Sequence, residues 1–394
     1  MKIESLEIRN YRVLKDVVLK DLGPLTVLCG ANGSGKSTLM DVFAFLHEAF
    51  TDGLRRAWDK RNRMAAICSR GQTGPVSLKL KYRAEKDGKQ RLVTYFLAIE
   101  EEQHRPVVVE EKLQWSSAPG PGRPRNILSF KRGHGEIYDE ATETKDKQSL
   151  SSPDLLAVAT LGQLQAHPRV AALRDFITGW YLSHLNVGET RVTPESGPQE
   201  LLSTTGDNLA NVIQYLEESH PEALEEVFED LSHYVPQIER LAPEHMDDGR
   251  LLLLLKDKPF EKPVMARYAS DGTLRLLAYL TLLHSPVPVP VIGIEEPENQ
   301  LHPKVVPALA ESIRRLSRKS QVFVTTHSPE FLLSLEPGEL RVVSRTTSEG
   351  GFANISRPAD SELIQRMLAE GMNFSELWSF GYLEAADPKP VDPA

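Results

Sequence analysis

Over the first fifty residues the spacing of apolar positions changes period. Ile3, Leu6 and Ile8 alternate imperfectly with polar neighbours, and Pro24 to Cys29 is a short β-branched apolar run that closes on glycine. Both predict strands. From Lys36 to Phe50 the apolar residues Leu39, Val42, Phe43, Leu46 and Phe50 recur every three or four positions, the stripe of a helix. A strand that feeds a helix through a glycine turn is the local plan. Val76 to Tyr82 and Arg91 to Ile99 alternate on either side of Glu85-Lys86-Asp87-Gly88-Lys89 and predict a hairpin, with a further strand at Pro106 to Trp115. Pro119 to Arg125 and Asp139 to Ser152 are polar, Pro/Gly/Ser-rich stretches, the composition of mobile connections.

Helical spacing resumes from Asp154 to about Leu231, carried by Leu155, Val158 and Leu161 and then by Leu209, Val212, Ile213 and Leu216; a strand fits near Tyr181 to Leu185. Leu251 to Leu255, five leucines in succession, has the length of a buried strand. Asp271 to Leu283 reads as an apolar helix and Val287 to Ile294 as a second buried strand. Pro303 to Arg318 then reads as helix, Val322 to Thr325 as strand and Pro329 to Leu335 as helix. This repeated strand-then-helix order implies a sheet that is at least partly parallel, an α/β fold.

Composition narrows the chemistry. The chain has 394 residues, with 46 Lys and Arg against 55 Asp and Glu, a formal charge of −9. A uniformly basic nucleic-acid binder is excluded, so any such contact must be a local patch. The densest patch is Arg55, Arg56, Lys60, Arg61, Arg63 and Arg70, with Asp59 as its only acid. Cys29 and Cys68 are too few for a disulfide framework or a four-cysteine zinc site, which points to a reducing compartment. The opening MKIESLEIRNYR lacks the apolar core of a secretory signal. The most apolar stretch, Leu276 to Ile294, is broken by His284, Pro286, Pro288 and Pro290 and cannot span a bilayer. The expectation is a soluble cytoplasmic protein without membrane contact.

Four motifs carry chemistry. Gly30 to Ser37 (GANGSGKS) fits G-x-x-x-x-G-K-[ST] and sits between a strand and an amphipathic helix. Its glycines let successive N–H groups face nucleotide phosphates; Lys36 reaches the β and γ phosphates and Ser37 ligates magnesium, with Asn32, Gly33, Ser34, Gly35 and Thr38 completing the cradle. The strand Val291 to Ile294 delivers two consecutive carboxylates: Glu295 suits the magnesium shell, and Glu296 suits the base that orients an attacking water. The strand ending at Thr325-Thr326 presents His327, one helix further on, where an imidazole can reach a γ-phosphate. Ser270 caps the Asp271 helix, and the amide of Gly272 can bind an anion.

In this order the P-loop, serine-glycine helix start, double-acid strand and strand histidine resemble the ABC-type ATPases, and within them the RecF, SMC and OLD branch. Ile8 to Leu14 (IRNYRVL), Asn32, Ser270 to Arg275 (SDGTLR), Glu295 to Glu298 (EEPE) and Thr326 to Pro329 (THSP) are similar to stand-alone AAA-type ATPases of that branch. The resemblance implies a P-loop NTPase, an ABC ATPase head with a mixed-sheet lobe and a helical lobe. It places lobe I at 1–145 and 285–345, the helical lobe II with the signature helix at 146–284, and a small extension at 346–394. It implies ATP and Mg2+ as cofactors and a homodimer closed across ATP, with Ser270 and Gly272 donated by the second copy. Catalysis falls to Glu296, Lys36 and His327, and the Q-loop glutamine to Gln163 or Gln165. The family usually has two glycines where this chain has Asp271-Gly272, and an aspartate where it has Glu295.

Long heptad arms and the Toprim nuclease of OLD proteins are both missing from this sequence, which leaves it nearest to RecF. The expected function is an ATPase whose dimerisation acts as a switch or clamp in DNA repair or antiphage defence, with DNA contacts through Arg55, Arg56, Lys60, Arg61 and Arg63. The alternative is a regulatory subunit that controls a separate nuclease or toxin effector without binding DNA.

Overall fold

The computed structural model describes residues 1–86, 88–116, 124–139, 142–345 and 350–383. They pack as two units: one from Met1–Trp180, Glu336–Met372 and the described residues from Leu377 onward, the other from Tyr181–Leu335 and Asn373–Glu376.

In the first unit β1 (Lys2–Tyr11), β2 (Leu14–Leu19) and β3 (Leu25–Cys29) lead through the glycine turn into α1 (Lys36–Glu48). The helical run then passes through one wider turn at Ala49–Gly53 into α2 (Leu54–Lys60), followed by α3 (Arg63–Ile67). β4 (Val76–Lys86), β5 (Lys89–Glu102) and β6 (Arg105–Trp115) form the expected antiparallel set. β7 (Arg125–Lys131), β8 (His134–Tyr138) and β9 (Lys145–Ser149) extend it into an eight-stranded antiparallel sheet in the order β2-β1-β4-β5-β6-β7-β8-β9.

The connection expected at Asp139 to Ser152 is thus partly a strand. β9 pairs with β8 from His134↔Ser149 to Tyr138↔Lys145, although all five of its residues are exposed. Backbone pairing holds it, and without an apolar face it left no periodicity to read. The other connection, Pro119 to Arg125, falls mostly outside the described residues. After α4 (Ala157–Leu161) and α5 (Pro168–Thr178) the chain enters the second unit.

There β10 (Tyr181–Ser183) is followed by α6 (Val187–Thr190), α7 (Leu209–Ser219) and α8 (Pro221–Tyr234). β11 (Ile238–His245), β12 (Leu251–Asp257) and β13 (Val264–Met265) make a three-stranded antiparallel sheet. The leucine run lies in β12, but Leu252 and Leu254 are only half-buried, so the strand covers one face and is not enclosed on both. α9 (Asp271–Leu283) begins and ends where the apolar pattern placed it. β14 (Val291–Glu295) starts four residues later than expected, because Pro286, Pro288 and Pro290 lack the N–H a ladder needs. It pairs in parallel with β10 and with β15 (Gln321–Thr326), which is reached through α10 (Val306–Leu316). The chain returns to the first unit as β16 (Leu340–Arg345), parallel to β3, then β17 (Ala353–Ser356) and α11 (Glu362–Ala369).

The strand-helix-strand order therefore gives the parallel pairing it predicted. The core of the first unit is aromatic: Phe43, Trp180, Phe176 and Tyr82 contact one another in series, and Phe45 lies between Tyr11 and Trp58. Among the described residues no helix is long and apolar enough to cross a membrane.

Candidate functional site

The P-loop is shaped by two close approaches. A Cβ on Gly30 would lie 2.1 Å from the Val343 carbonyl oxygen, and one on Gly35 would meet Val13 at 3.1 Å and Ala353 at 3.2 Å, with φ at +118°. Only glycine fits where backbone packs this tightly and φ is positive. Gly35 precedes α1 without a side-chain cap, so the first amides of this helix are left to an incoming group. Lys36, 4% exposed, donates from Nζ to the carbonyls of Gly30 at 2.6 Å and Ala31 at 3.1 Å. Ser34 is buried, and its Oγ finds no partner among the described residues. Asn32, Gly33 and Ser37 are exposed and Thr38 is half-buried. A buried lysine turned to its own loop, a hydroxyl with no partner among the described residues and helix amides without a side-chain cap fit a polyphosphate.

In the second unit the ends of β14 and β15 bring three acids and an imidazole together. Glu296 has φ of +44°, and its N–H donates to the Thr325 carbonyl at 2.9 Å. Its Oε2 accepts from Asn299 Nδ2 at 2.8 Å, and its Oε1 lies 3.5 Å from His327 Nδ1. Glu298, whose side chain is 6% exposed, accepts at Oε1 from the Thr326 hydroxyl at 2.6 Å and the His327 N–H at 2.9 Å, while its Oε2 is buried without a partner among the described residues. Glu298 thus ties the carboxylate strand to the histidine strand. Glu295 lies 3.3 Å from Nδ1 of His184, a residue just beyond β10. Periodicity and motif spacing gave no signal for His184, which parallel pairing of β10 with β14 delivers from over a hundred positions away. Asn299 and Glu298 were within reach of a motif reading, since they follow the double acid directly.

Ser270 caps α9 as expected, accepting from the Thr273 N–H at 3.2 Å. Gly272 is packed against its own chain: a Cβ there would lie 2.7 Å from the Gln300 carbonyl oxygen. Arg275 ties the same helix to the carboxylate loop, donating to the Asn299 carbonyl at 3.1 Å and to the Leu185 carbonyl at 3.2 Å. Asp271, in the first turn, is met by Arg191 Nη2 at 2.5 Å.

Back in the first unit, Gln163 is exposed in the turn after α4 and donates to the Ala159 carbonyl at 3.3 Å; Gln165 is also exposed. The start of α4 is filled by Glu111, fully buried, which accepts from Ala157 N–H at 2.5 Å, Val158 N–H at 3.1 Å and Tyr95 OH at 3.0 Å. Burial pushes its carboxyl up to about 7, although these hydrogen bonds oppose the shift.

The basic cluster needs one correction. Arg61, expected to contact DNA, is 6% exposed and bonded to Asp41 through Nε at 2.9 Å and to Glu48 through Nη1 at 2.5 Å. Burial opposes its charge, but these two acids outweigh burial and hold the guanidinium protonated. It braces α1 against α2 and the Tyr11-Arg12 turn, whose side chains share Asp41 at 2.6 and 2.9 Å. Lys60 and Arg63 remain exposed but pair with Glu48 and Asp59, and Arg55 lies 4.0 Å from Asp59. Arg56 is exposed on α2.

Two family models match the chain: "AAA ATPase domain" over residues 1–148 and "AAA domain, putative AbiEii toxin, Type IV TA system" over residues 198–334. Among curated proteins none matches this sequence. A solved SMC head bound to the C-winged helix domain of ScpA is 14% identical, superposes with a TM-score of 0.55, and covers 90% of this chain and 98% of its own. The SMC head domain from Thermotoga maritima, also 14% identical, gives a TM-score of 0.47 over 91% of this chain and 99% of its own. The first of these likenesses shows the fold, a P-loop head of mixed sheets and helices.

Proposed function

We propose that the chain, two stretches of which match models of AAA ATPase domains, is an ABC-type ATPase of the RecF and SMC branch that binds ATP with magnesium at residues 30–38, hydrolyses it, and uses bound ATP to join two copies head to tail. The observation that carries this reading is the P-loop itself, where Lys36 is buried with its Nζ turned to the Gly30 and Ala31 carbonyls and the buried Ser34 hydroxyl finds no partner among the described residues.

In this proposal Lys36 exchanges its loop carbonyls for phosphate oxygens, and the amides at the start of α1 take the rest of the charge. Ser37 and Glu295 hold magnesium, which supplies charge neutralisation on the phosphates. Glu296 takes a proton from water as the water oxygen bonds to the γ-phosphorus and the bridging oxygen leaves with ADP. Asn299 fixes the Glu296 carboxylate, and His327 sits beside it to meet the γ-phosphate. Ser270 and Gly272 of the second copy close over the nucleotide.

A motor of this kind is proposed to serve DNA repair or antiphage defence. The burial of Arg61 removes one of five expected DNA contacts and favours the second reading, a switch that controls a separate nuclease or toxin effector. Light scattering of Glu296→Gln tests the central claim. The mass should double on adding ATP and magnesium and stay single without them; a single mass in both conditions overturns it.

A further inference from the structure

The family's helix-start motif places glycine where this chain has Asp271, and a carboxylate there opposes any phosphate brought to α9. The fold supplies an answer from a remote position. Arg191 follows α6 directly, eighty positions before Asp271, and its side chain is 30% exposed. One guanidinium nitrogen, Nη2, bonds both the Asp271 carboxylate at 2.5 Å and the Ala269 carbonyl at 3.0 Å. The other, Nη1, bonds the Arg267 carbonyl. A single planar cation thus cancels the acid and holds two of the residues that lead into the Ser270 cap, Arg267 and Ala269. Its neighbour Arg267 points its charge elsewhere, 5.2 Å over the Tyr268 ring, and the carboxylate pairs with Arg191.

We propose that Arg191 is a positioning residue for ATP-driven closure: it neutralises Asp271 so that the N-terminus of α9 accepts the polyphosphate of a nucleotide held by a second copy. The inference rests on the dimer reading above. It predicts electrostatic coupling between residues 191 and 271, which a purely structural role for the two carbonyl bonds does not.

The test is the ATP concentration at which the Glu296→Gln protein dimerises, read by light scattering. Arg191→Gln keeps amide donors for the carbonyls but removes the charge, and should raise that midpoint about tenfold, the order expected for one uncompensated charge near a helix start. Arg191→Lys, which keeps the charge, should recover most of the loss. Asp271→Asn added to Arg191→Gln should restore the midpoint to within about threefold of the parent. Absence of an ATP-driven dimer in the parent overturns the dimer reading together with this one. A parent that dimerises while Arg191→Gln leaves the midpoint unmoved, or a loss that Asp271→Asn does not repair, overturns the role of Arg191 alone. Should Arg191→Gln not fold, Asp271→Lys decides the matter: with Arg191 intact, added positive charge must not raise the midpoint.

Discussion

The starts of α1 and α9 solve one physical problem in opposite ways. A helix begins with amides that lack partners. At α1 the chain leaves them open: Gly35 offers no cap, and Lys36 turns back to the Gly30 carbonyl of its own loop. At α9 they are dressed, with Ser270 capping Thr273 and Asp271 held by Arg191. A third start, that of α4, is closed outright by the buried Glu111 carboxylate. Open amides beside a positive charge suit a ligand that brings its own negative charge. Dressed amides suit a face that meets such a ligand second, and a filled start is architecture. The same local geometry therefore serves binding or stability according to which side chain reaches it.

Four measurements would break or sharpen that contrast. Lys36→Ala removes the charge at the open start and should weaken ATP binding by about a thousandfold, the worth of two charge-assisted hydrogen bonds, as titration of a fluorescent nucleotide will report. Gly30→Ala puts a Cβ 2.1 Å from the Val343 carbonyl oxygen and should cost about 3 kcal/mol in urea unfolding, with the P-loop displaced.

At the filled start, the Glu111 carboxyl is raised by burial from 4.5 to about 7. A raised acid favours the folded state most when protonated, so this stabilisation is whole below about pH 4.5 and is lost as pH climbs through about 7. Urea midpoints should show a component on the order of 2 kcal/mol lost between pH 5 and pH 8 that Glu111→Gln lacks. A pH response unchanged in the variant would remove Glu111 as its source. The smallest effect belongs to the dressed start: Ser270→Ala should cost about 1 kcal/mol of stability, read from the same unfolding curves.

How much of this was legible beforehand varied with the range of the interaction. The P-loop, α9 and the two parallel strands were legible because glycine spacing, apolar period and strand length are local quantities. Arg55, Arg56, Lys60, Arg61 and Arg63 read as one basic face, yet Arg61 is interior. Nothing local distinguishes it, since its burial depends on Asp41 and Glu48 projecting from α1. β9 escaped notice for the opposite reason, as pairing fixed it without burying a side chain.

By itself the sequence determined the chemical parts and their order: a glycine-rich turn carrying a lysine, a capped helix, two adjacent acids and a strand histidine. These follow from residue types within a few positions of one another, where spacing alone sets geometry. Only the tertiary structure decided their company. It put His184 beside Glu295, Glu298 under His327 and Arg191 on Asp271, pairings across 29 to 111 positions. Electrostatic partnership depends on distance in space, and the folding of strands and helices past one another sets that distance.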